Sequence, residues 1–589
     1  MIGAMTNPAL FPASKRPWHH LASLGLVLLA FSLSALLSRA AFDRLPHLED
    51  ELAYLFQARI FASGQATVNI PEPRQAYWQP FVVDYAPTGQ RFAKYSPGWP
   101  LLLALGVLLG QPWLINALLS ALNVALVYRL GSDLLDRDTG LMAALLLTFS
   151  PMALLLNASL MAHTSALTFG LVFMCAFHRL ARRQQWAWAT VAGLALGALA
   201  ITRPLPALAL AMPAIVLSLI WLARAYRRKH FGRALRPLLL LAALTILVGL
   251  LLPLFNAAAT GDPRQNLYTL VWTYDRVGFG DCCGRNGHTL DKALLHARYD
   301  LSLTAADLFG WQIGPLDDAV RDYWLDGNTW YPNPGVSFLL IPFGLLVGLG
   351  RRWWAGGLWL LIGLLWLLPL LVQPDTFDTP LLSWGWLVGA LIWSWLPLLW
   401  LRGRARATWW LLSVAVSLIL LQMAYWVGSQ RYSTRYYFEA VALLSLLTAL
   451  PLSWLARRWG RRLALPVYGV LVGVCMLSLV SYSWPRVMAL HGFNNIRQAH
   501  IDAVESRRTT DAPLLVIVEG PASGADRVRW RAYGSLMAVT GPRLDTPIVV
   551  AWDYGGDDVR EAILARFPDR EVILMIAREN HAWFPGTSP

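Results

Sequence analysis

Charged residues are scarce in this sequence of 589 residues, at 14% of positions, against about 25% in a typical soluble domain. Apolar residues make up 56% and aromatic residues 12%. This composition excludes an ordinary soluble enzyme, an intrinsically disordered chain and a coiled coil. Cysteine is also scarce, with four residues, and Cys282 and Cys283 are adjacent. Because no Cys/His spacing suggests zinc, neither a disulfide framework nor a metal site is indicated.

Lysine is rare as well, since only four of the 49 basic residues are lysines. The net charge of +14 could point to a nucleic-acid partner. The basic residues, however, fall in short clusters between apolar runs, which is the pattern of membrane topology. The sequence therefore predicts membrane lipids, and no nucleic acid, as the surroundings of this protein.

Thirteen apolar runs predict a polytopic α-helical membrane protein. They lie at about 20–37, 113–130, 140–156, 164–180, 187–202, 204–222, 237–256, 335–349, 354–372, 384–401, 408–428, 437–455 and 463–483. A further stretch at 98–110 is too short to span comfortably, and we expect a helix in or dipping into the outer interface.

The basic clusters set the expected orientation. If the runs alternate sides, the cytoplasmic face receives 22 basic residues, beginning with Lys15 and Arg16, and the short outer loops receive only Arg203, Arg431 and Arg435. The positive-inside rule then places the N-terminus in the cytoplasm and the C-terminus outside. We expect a multi-pass protein of the bacterial inner membrane with outer loops at about 38–112 and 257–334.

The composition changes after residue 483. Short β-branched runs at 514–519, 547–552 and 571–576 predict strands, and residues 557–567 have helical spacing. We therefore expect two domains, a membrane domain at 1–483 and a small extracytoplasmic α/β domain at 484–589. The tail has no glycine loop and no nucleophile motif, which favours a lid or an acceptor-docking role.

Glu49, Asp50 and Glu51 begin an amphipathic segment in the first outer loop. Its apolar positions share one helical face, so we expect a short helix along the membrane surface with its acidic end at a cavity. The helix dipole stabilises carboxylates there as anions, which favours a base over an acid. The alternative is ordinary helix capping by solvated charges.

Three isolated cations fall on the same predicted side, at outer helix ends: Lys94, Arg203 and Arg435. Cations in such places need an anionic partner, and a lipid phosphate fits. The alternative for each is snorkelling to ordinary headgroups.

The order of these motifs resembles a family. After Asp50-Glu51 come Lys94-Tyr-Ser-Pro-Gly-Trp-Pro100, Asp136-Arg-Asp-Thr-Gly140, Ser150-Pro151, Thr202-Arg-Pro204, Thr260-Gly-Asp-Pro263 and Arg435-Tyr-Tyr-Phe-Glu439. Over about residues 20–480 the sequence resembles the GT-C glycosyltransferases of family 39, the protein O-mannosyltransferase and aminoarabinose transferase type.

The resemblance implies a GT-C-like fold and inverting transfer of a sugar from a polyprenyl-phosphate-linked donor. Asp50 would take or orient the acceptor's proton, with Glu51 as the neighbouring candidate. Lys94, Arg203 and Arg435 would hold the donor phosphate. Side chains that could support them are His163, Tyr95 and Tyr436.

One departure from the family concerns the outer end of the third helix. The family often has a second acidic residue there, whereas this chain reads Asn157-Ala-Ser-Leu-Met-Ala-His163. A histidine can share a proton but cannot replace an obligatory carboxylate. We therefore expect no required cofactor; a divalent metal ion is compatible with the sequence but not indicated.

The sequence thus predicts a membrane glycosyltransferase whose acceptor is a lipid, a glycan or a protein. The alternative is a transporter or flippase of lipids or lipid-linked sugars. A transporter is expected to place ionisable groups in the middle of its spans, whereas the residues named above sit at helix ends.

Overall fold

The computed structural model describes residues 18–312, 335–377, 379–428, 432–458, 461–520, 530–578 and 581–584. Lys15, Arg16 and Arg431, which contribute to the predicted orientation, lie outside these ranges, as does the last part of the predicted second outer loop.

Most of the described chain is helical. The helices up to the second long loop are α1 (Trp18–Ala40), α2 (Glu49–Ala62), α3 (Gly98–Leu108), α4 (Trp113–Leu134), α5 (Arg137–Phe149), α6 (Pro151–Ala158), α7 (His163–Arg183), α8 (Trp186–Thr202), α9 (Pro204–Arg227), α10 (Phe231–Gly249), α11 (Leu251–Thr260) and α12 (Leu290–Asp307). The later helices of the apolar part are α13 (Leu340–Leu349), α14 (Trp353–Val372), α15 (Pro380–Trp395), α16 (Pro397–Trp400), α17 (Gly403–Met423), α18 (Val441–Arg458), α19 (Arg461–Ser478) and α20 (Trp484–Met488).

Within the described residues, 10 helical stretches are long and apolar enough to cross a membrane, or 11 if the bent pair α5 and α6 is one span. A polytopic helical membrane protein is confirmed, with fewer spans than the thirteen predicted. The difference between thirteen and 11 has two sources, and the count of 10 also leaves out the bent pair. Helix α8, at 17 residues, is shorter than a usual span, and residues Leu340–Val372, which the sequence count divides at Arg351 and Arg352, form one apolar stretch.

Local sequence explains the breaks that shape the centre of the bundle. Ser150 ends α5 and caps α6 by accepting a hydrogen bond from the Ala153 N–H, and Pro151 occupies the first turn of α6. The two helices are bent by 60° at this point. Arg203 has extended backbone angles between α8 and α9, and Pro204 begins α9, so the Arg203 side chain projects from a helix junction.

A glycine holds α3 against the end of α8. A Cβ atom on Gly98 would lie 2.8 Å from the carbonyl carbon of Ile201, closer than real Cβ contacts allow. Only a residue without a side chain permits this approach. The contact brings the Lys94 segment next to the junction that carries Arg203.

The first long loop contains an element that the sequence did not predict. Three short strands, β1 (Val68–Asn69), β2 (Val82–Tyr85) and β3 (Gln90–Ala93), form an antiparallel sheet in the order β1-β3-β2. Strand β3 ends at Ala93, and Lys94 follows directly.

After the last apolar helix the chain forms a small α/β unit, as predicted. Its elements are α21 (Gln498–Glu505), β4 (Leu514–Glu519), α22 (Trp530–Val539), β5 (Ile548–Trp552), α23 (Asp557–Arg566), β6 (Glu571–Arg578) and β7 (His581–Trp583). The sheet order is β5-β4-β6-β7, with β4 parallel to β5 and β6, and β7 antiparallel. The domain boundary at 483/484 stays a prediction.

This C-terminal unit packs on the first loop. Leu52 of α2 belongs to the apolar cluster on one face of the β4–β6 sheet, and Ala76 and Tyr77 belong to the cluster on the other face. Arg59 of α2 donates hydrogen bonds to the carbonyls of Thr540 and Ala538 at 3.0 and 2.6 Å. The expectation that α2 lies along a membrane surface is therefore wrong, because protein covers nearly all of its sides.

Candidate active site

A cavity of about 800 Å³ lies where the first loop, the second loop and several helix ends meet. Seven of the eight residues predicted for the site line it: Asp50, Lys94, Tyr95, His163, Arg203, Arg435 and Tyr436. The structure thus brings together residues that are up to 386 positions apart in the sequence. The eighth, Glu51, does not line the cavity.

Asp50 lies in the first turn of α2 and faces the cavity. Its carboxylate accepts a hydrogen bond from the Tyr95 hydroxyl at 2.6 Å. The guanidinium of Arg435 donates to its other oxygen at 3.4 Å. The helix start and the arginine both stabilise the ionised form, so Asp50 is suited to accept a proton.

Glu51 points away from the cavity and is fully buried. Its oxygens accept hydrogen bonds from the backbone N–H groups of His47, Leu48 and Leu160 at 2.7, 2.9 and 2.6 Å, and from the Tyr432 hydroxyl at 3.2 Å. Burial raises the pKa of Glu51 to about 7, while the N–H groups lower it. The predicted place of Glu51 beside the reacting groups is corrected, because successive helix residues diverge by about 100°.

Lys94 is buried, with an exposed fraction of 3%, and its ammonium forms an ion pair with Asp275 at 3.3 Å. Four aromatic rings surround the ammonium: Phe81, Tyr95, Tyr268 and Trp272, with centroids 4.1 to 5.4 Å from the nitrogen. Burial lowers the pKa of Lys94 below its usual value, and Asp275 and Asp50 act against this shift.

The two arginines also have carboxylate partners. Arg203 is paired with Glu439, which is buried, and Arg435 is paired with Asp50. Arg435 lies in the 3-10 helix Arg435–Ala440 that precedes α18. The same short helix contains Glu439, the partner of Arg203. Each of the three predicted cations therefore has a carboxylate as its anionic partner in the structure. These carboxylates belong to Asp275, Glu439 and Asp50.

Asp275 and Glu439 were not assigned a role from the sequence. Asp275 lies in an irregular loop where no periodicity marks single residues. Glu439 was visible within the Arg435 motif, and an acidic residue at the start of an apolar run was a usable signal.

His163 begins α7 and lines the cavity with an exposed fraction of 3%. Neither of its ring nitrogens has a hydrogen-bond partner among the described residues. Buried polar atoms usually have partners, so this ring is free to bond a group within the cavity. Tyr436 places its ring beneath the guanidinium groups of Arg203 and Arg435, 6.0 and 5.3 Å from the centroid.

No group of three or more His, Cys, Asp or Glu side chains that could hold a metal ion occurs in the described part of the chain. Cys282 and Cys283 are joined by a disulfide, and the loop that carries them also carries Arg285, which lines the cavity.

One region of the chain, which includes part of the cavity, matches a family model. Residues 98–252 match the family model described as dolichyl-phosphate-mannose-protein mannosyltransferase. No curated protein matches the chain.

Among solved structures, ArnT from Cupriavidus metallidurans bound to undecaprenyl phosphate is 14% identical with a TM-score of 0.45, and the match covers 97% of this chain and 98% of ArnT. The oligosaccharyltransferase of Archaeoglobus fulgidus in the apo form is 15% identical with a TM-score of 0.39, over 89% of this chain and 64% of that one. This chain therefore spans less than two thirds of the oligosaccharyltransferase. TM-scores below 0.5 are too low to establish a shared fold.

The family match begins at Gly98, within the segment from Lys94 to Pro100 but after Lys94 itself, and includes the α5 to α6 break, His163 and the Arg203 junction. The resemblance predicted from the sequence is thus confirmed over residues 98–252, the part of the chain that matches the family model.

Proposed function

We propose that this protein is a membrane glycosyltransferase that moves a monosaccharide from a polyprenyl-phosphate donor to an acceptor hydroxyl, with inversion. One observation carries the proposal: a single cavity holds the carboxylate of Asp50 and the cations Lys94, Arg203 and Arg435. The family match to residues 98–252 supports the donor class.

The chemistry follows from the charges in the cavity. The acceptor oxygen attacks the anomeric carbon on the face opposite the phosphate, and the bond between that carbon and the phosphate oxygen breaks. Asp50 takes the proton of the acceptor hydroxyl. The polyprenyl phosphate leaves with the electron pair, and fixed cations in a desolvated site stabilise its charge.

We propose that the enzyme needs no cofactor, because the lysine and two arginines supply the positive charge that a leaving phosphate requires. His163 supports the same site, since its free ring nitrogens could bond a phosphate oxygen or a sugar hydroxyl. Activity that survives a chelator is the expected result, and activity restored only by a divalent metal ion would contradict this part of the proposal.

We further propose that the protein lies in the bacterial inner membrane with its N-terminus in the cytoplasm and with the cavity and C-terminal unit on the extracytoplasmic side. The acceptor is a lipid, a glycan or a protein. An acceptor-docking role for the C-terminal unit is supported by Trp530, which lines the same cavity as Trp78 and Glu49 of the first loop.

The test is to incubate purified protein with a panel of polyprenyl-phosphate sugars and to measure the release of polyprenyl phosphate. Release that depends on an acceptor is expected for a transferase. The competing function is a transporter or flippase, which would move the lipid-linked sugar across a vesicle bilayer without breaking the bond between sugar and phosphate. That second outcome would overturn the proposed function.

A further inference from the structure

Asp275 is a buried carboxylate that connects three parts of the chain. Its exposed fraction is 2%. One oxygen accepts hydrogen bonds from the Tyr425 hydroxyl at 2.8 Å and the Trp426 indole N–H at 3.1 Å, and the other accepts from the Lys94 ammonium at 3.3 Å. Two neutral donors therefore fix the carboxylate from behind and leave one oxygen to face Lys94.

Among the described residues, Asp275 is the one ion-pair partner of Lys94, and aromatic rings make the other close contacts of its ammonium. Phe81 and Trp272 lie nearest, with ring centroids 4.1 and 4.4 Å from its nitrogen. Aromatic faces attract a cation but do not accept its hydrogen bonds as water or a carboxylate does. An ammonium without water or a carboxylate would lose its proton readily in such a place.

The charged groups that act on Lys94 are Asp275, Asp50 and Arg435, and the titratable rings beside it are Tyr95 and Tyr268. Asp275 makes the direct contact, whereas Asp50 is held by Tyr95 and Arg435. Asp275 is thus the carboxylate best placed to control the charge of Lys94.

We propose that Asp275 is a positioning residue that keeps Lys94 protonated and holds its ammonium where the donor phosphate binds. The part of this inference that concerns the phosphate rests on the proposed function. The part that concerns the charge of Lys94 rests only on the geometry of the two side chains.

The variant Asp275→Asn separates the hydrogen bonds that Asp275 accepts from Tyr425 and Trp426 from its ion pair with Lys94. The amide keeps one oxygen for Tyr425 and Trp426, so the packing of the loop is preserved. Its NH₂ group then faces the ammonium, so an acceptor becomes a donor and the negative charge is lost. Asp281→Asn is the matched control, because Asp281 is an exposed aspartate of the same loop that does not line the cavity.

The charge of Lys94 can be measured without any substrate. The chain has four lysines, so protein labelled with ¹³C at lysine Cε gives four signals, and Lys94→Gln identifies the one of interest. We expect the midpoint of the Lys94 titration to fall by about one pH unit or more in Asp275→Asn and to stay unchanged in Asp281→Asn. Equal midpoints in the wild-type protein and Asp275→Asn would overturn the inference.

The second readout is equilibrium binding of undecaprenyl phosphate in detergent micelles. We expect Asp275→Asn to weaken binding about tenfold or more, in line with the loss of a buried charged contact. If Asp275 acts through Lys94, the double variant with Lys94→Gln will bind no more weakly than Lys94→Gln alone. Additive losses would show an independent role and would contradict the proposal.

Two controls keep the outcomes distinct. If Asp275→Asn does not fold, Tyr425→Phe replaces it, since it removes one of the bonds that fix the carboxylate. Binding about threefold weaker is then expected, and unchanged binding would contradict the inference. A wild-type protein that binds no undecaprenyl phosphate would overturn the proposed donor site, and the lysine titration would still decide the role of Asp275.

Discussion

The guanidinium of Arg435 lies 3.4 Å from the carboxylate of Asp50, so the proposed base and one of the proposed phosphate-binding cations hold each other across the cavity. The two side chains are 17% and 13% exposed for Asp50 and Arg435, so water screens the pair only weakly. A phosphate in the cavity would compete with Asp50 for the guanidinium of Arg435, because a guanidinium binds a phosphate and a carboxylate in the same way.

Asp50→Asn is expected to reduce turnover about 10²-fold or more, in line with general-base contributions. The amide oxygen can still accept the hydrogen bond from Tyr95, but the amide cannot take the acceptor's proton. Release of polyprenyl phosphate at saturating donor measures the effect. The matched control is Glu49→Gln, which changes the neighbouring carboxylate of the same cavity and should lose much less. Wild-type turnover in Asp50→Asn would remove the base mechanism.

Glu51→Gln is expected to lower the stability of the fold. The four groups that hydrogen-bond to the Glu51 carboxylate are all donors, and glutamine would turn an NH₂ group toward one of them. An unmatched buried polar group costs about 1 to 3 kcal/mol. Thermal unfolding in detergent should show a lower midpoint for Glu51→Gln and an unchanged one for Asp281→Asn, which alters an exposed carboxylate. A Glu51→Gln protein with normal stability and no turnover would restore Glu51 as a catalytic candidate.

Gly98→Ala is expected to damage the donor site from outside the cavity. The added Cβ would lie 2.8 Å from the carbonyl carbon of Ile201, so α3 and the end of α8 must separate. Overpacking of this kind costs about 1 to 3 kcal/mol. We expect a lower unfolding midpoint and weaker binding of undecaprenyl phosphate. Gly25→Ala is the control, because its Cβ would meet nothing within 4 Å.

His47 is expected to make the fold sensitive to acid. Its ring is fully buried, and burial lowers its pKa to about 4. The unfolded chain has a histidine pKa of about 6.5, so the unfolded state binds the proton first as the pH falls. The stability from neutral His47 is thus complete above about pH 6.5 and is lost progressively toward pH 4, with a limit of about 3 kcal/mol.

The difference between wild type and His47→Gln isolates this effect, because the opposite contribution of Glu51, whose pKa is raised, is common to both proteins. The unfolding midpoint should fall more steeply between pH 6.5 and 4 in the wild type. His20→Gln, at an exposed position of α1, should show the same pH dependence of the unfolding midpoint as the wild type. Parallel curves for wild type and His47→Gln would contradict the prediction.

The orientation is tested by fusions. Alkaline phosphatase joined after Trp484 should be active, and the same enzyme joined after Arg404 should be inactive, because the basic clusters place these points on opposite sides. The reverse pattern would show the opposite membrane orientation, with the cavity on the cytoplasmic side.

Local patterns predicted local structure well. The start of α2 at its acidic cluster, strand β4 at 514–519 and the helix at 557–567 lie within a residue or two of their predicted bounds. The convergence of Lys94, Arg203 and Arg435 was also predictable, since cations at helix ends on the same predicted side lie at one end of a bundle.

What the sequence could not show was which side chains those cations meet. Asp275 lies 181 positions from Lys94, and Glu439 lies 236 positions from Arg203, so no spacing links either pair. The burial of α2 was missed for the same reason, because its cover comes from the far end of the chain.

During synthesis of the chain, α2 waits for the C-terminal sheet that covers it. The helix that carries Asp50 is synthesised before the helices of the bundle from α3 onward, whereas the sheet that buries Leu52 and Tyr77 is synthesised after them. Until that sheet is synthesised, Leu52 and Tyr77 lack this apolar cover and are accessible to chaperones and proteases. A premature stop after α20 would therefore leave the helix that carries Asp50 without this cover, although every described residue that lines the cavity except Trp530 had been translated.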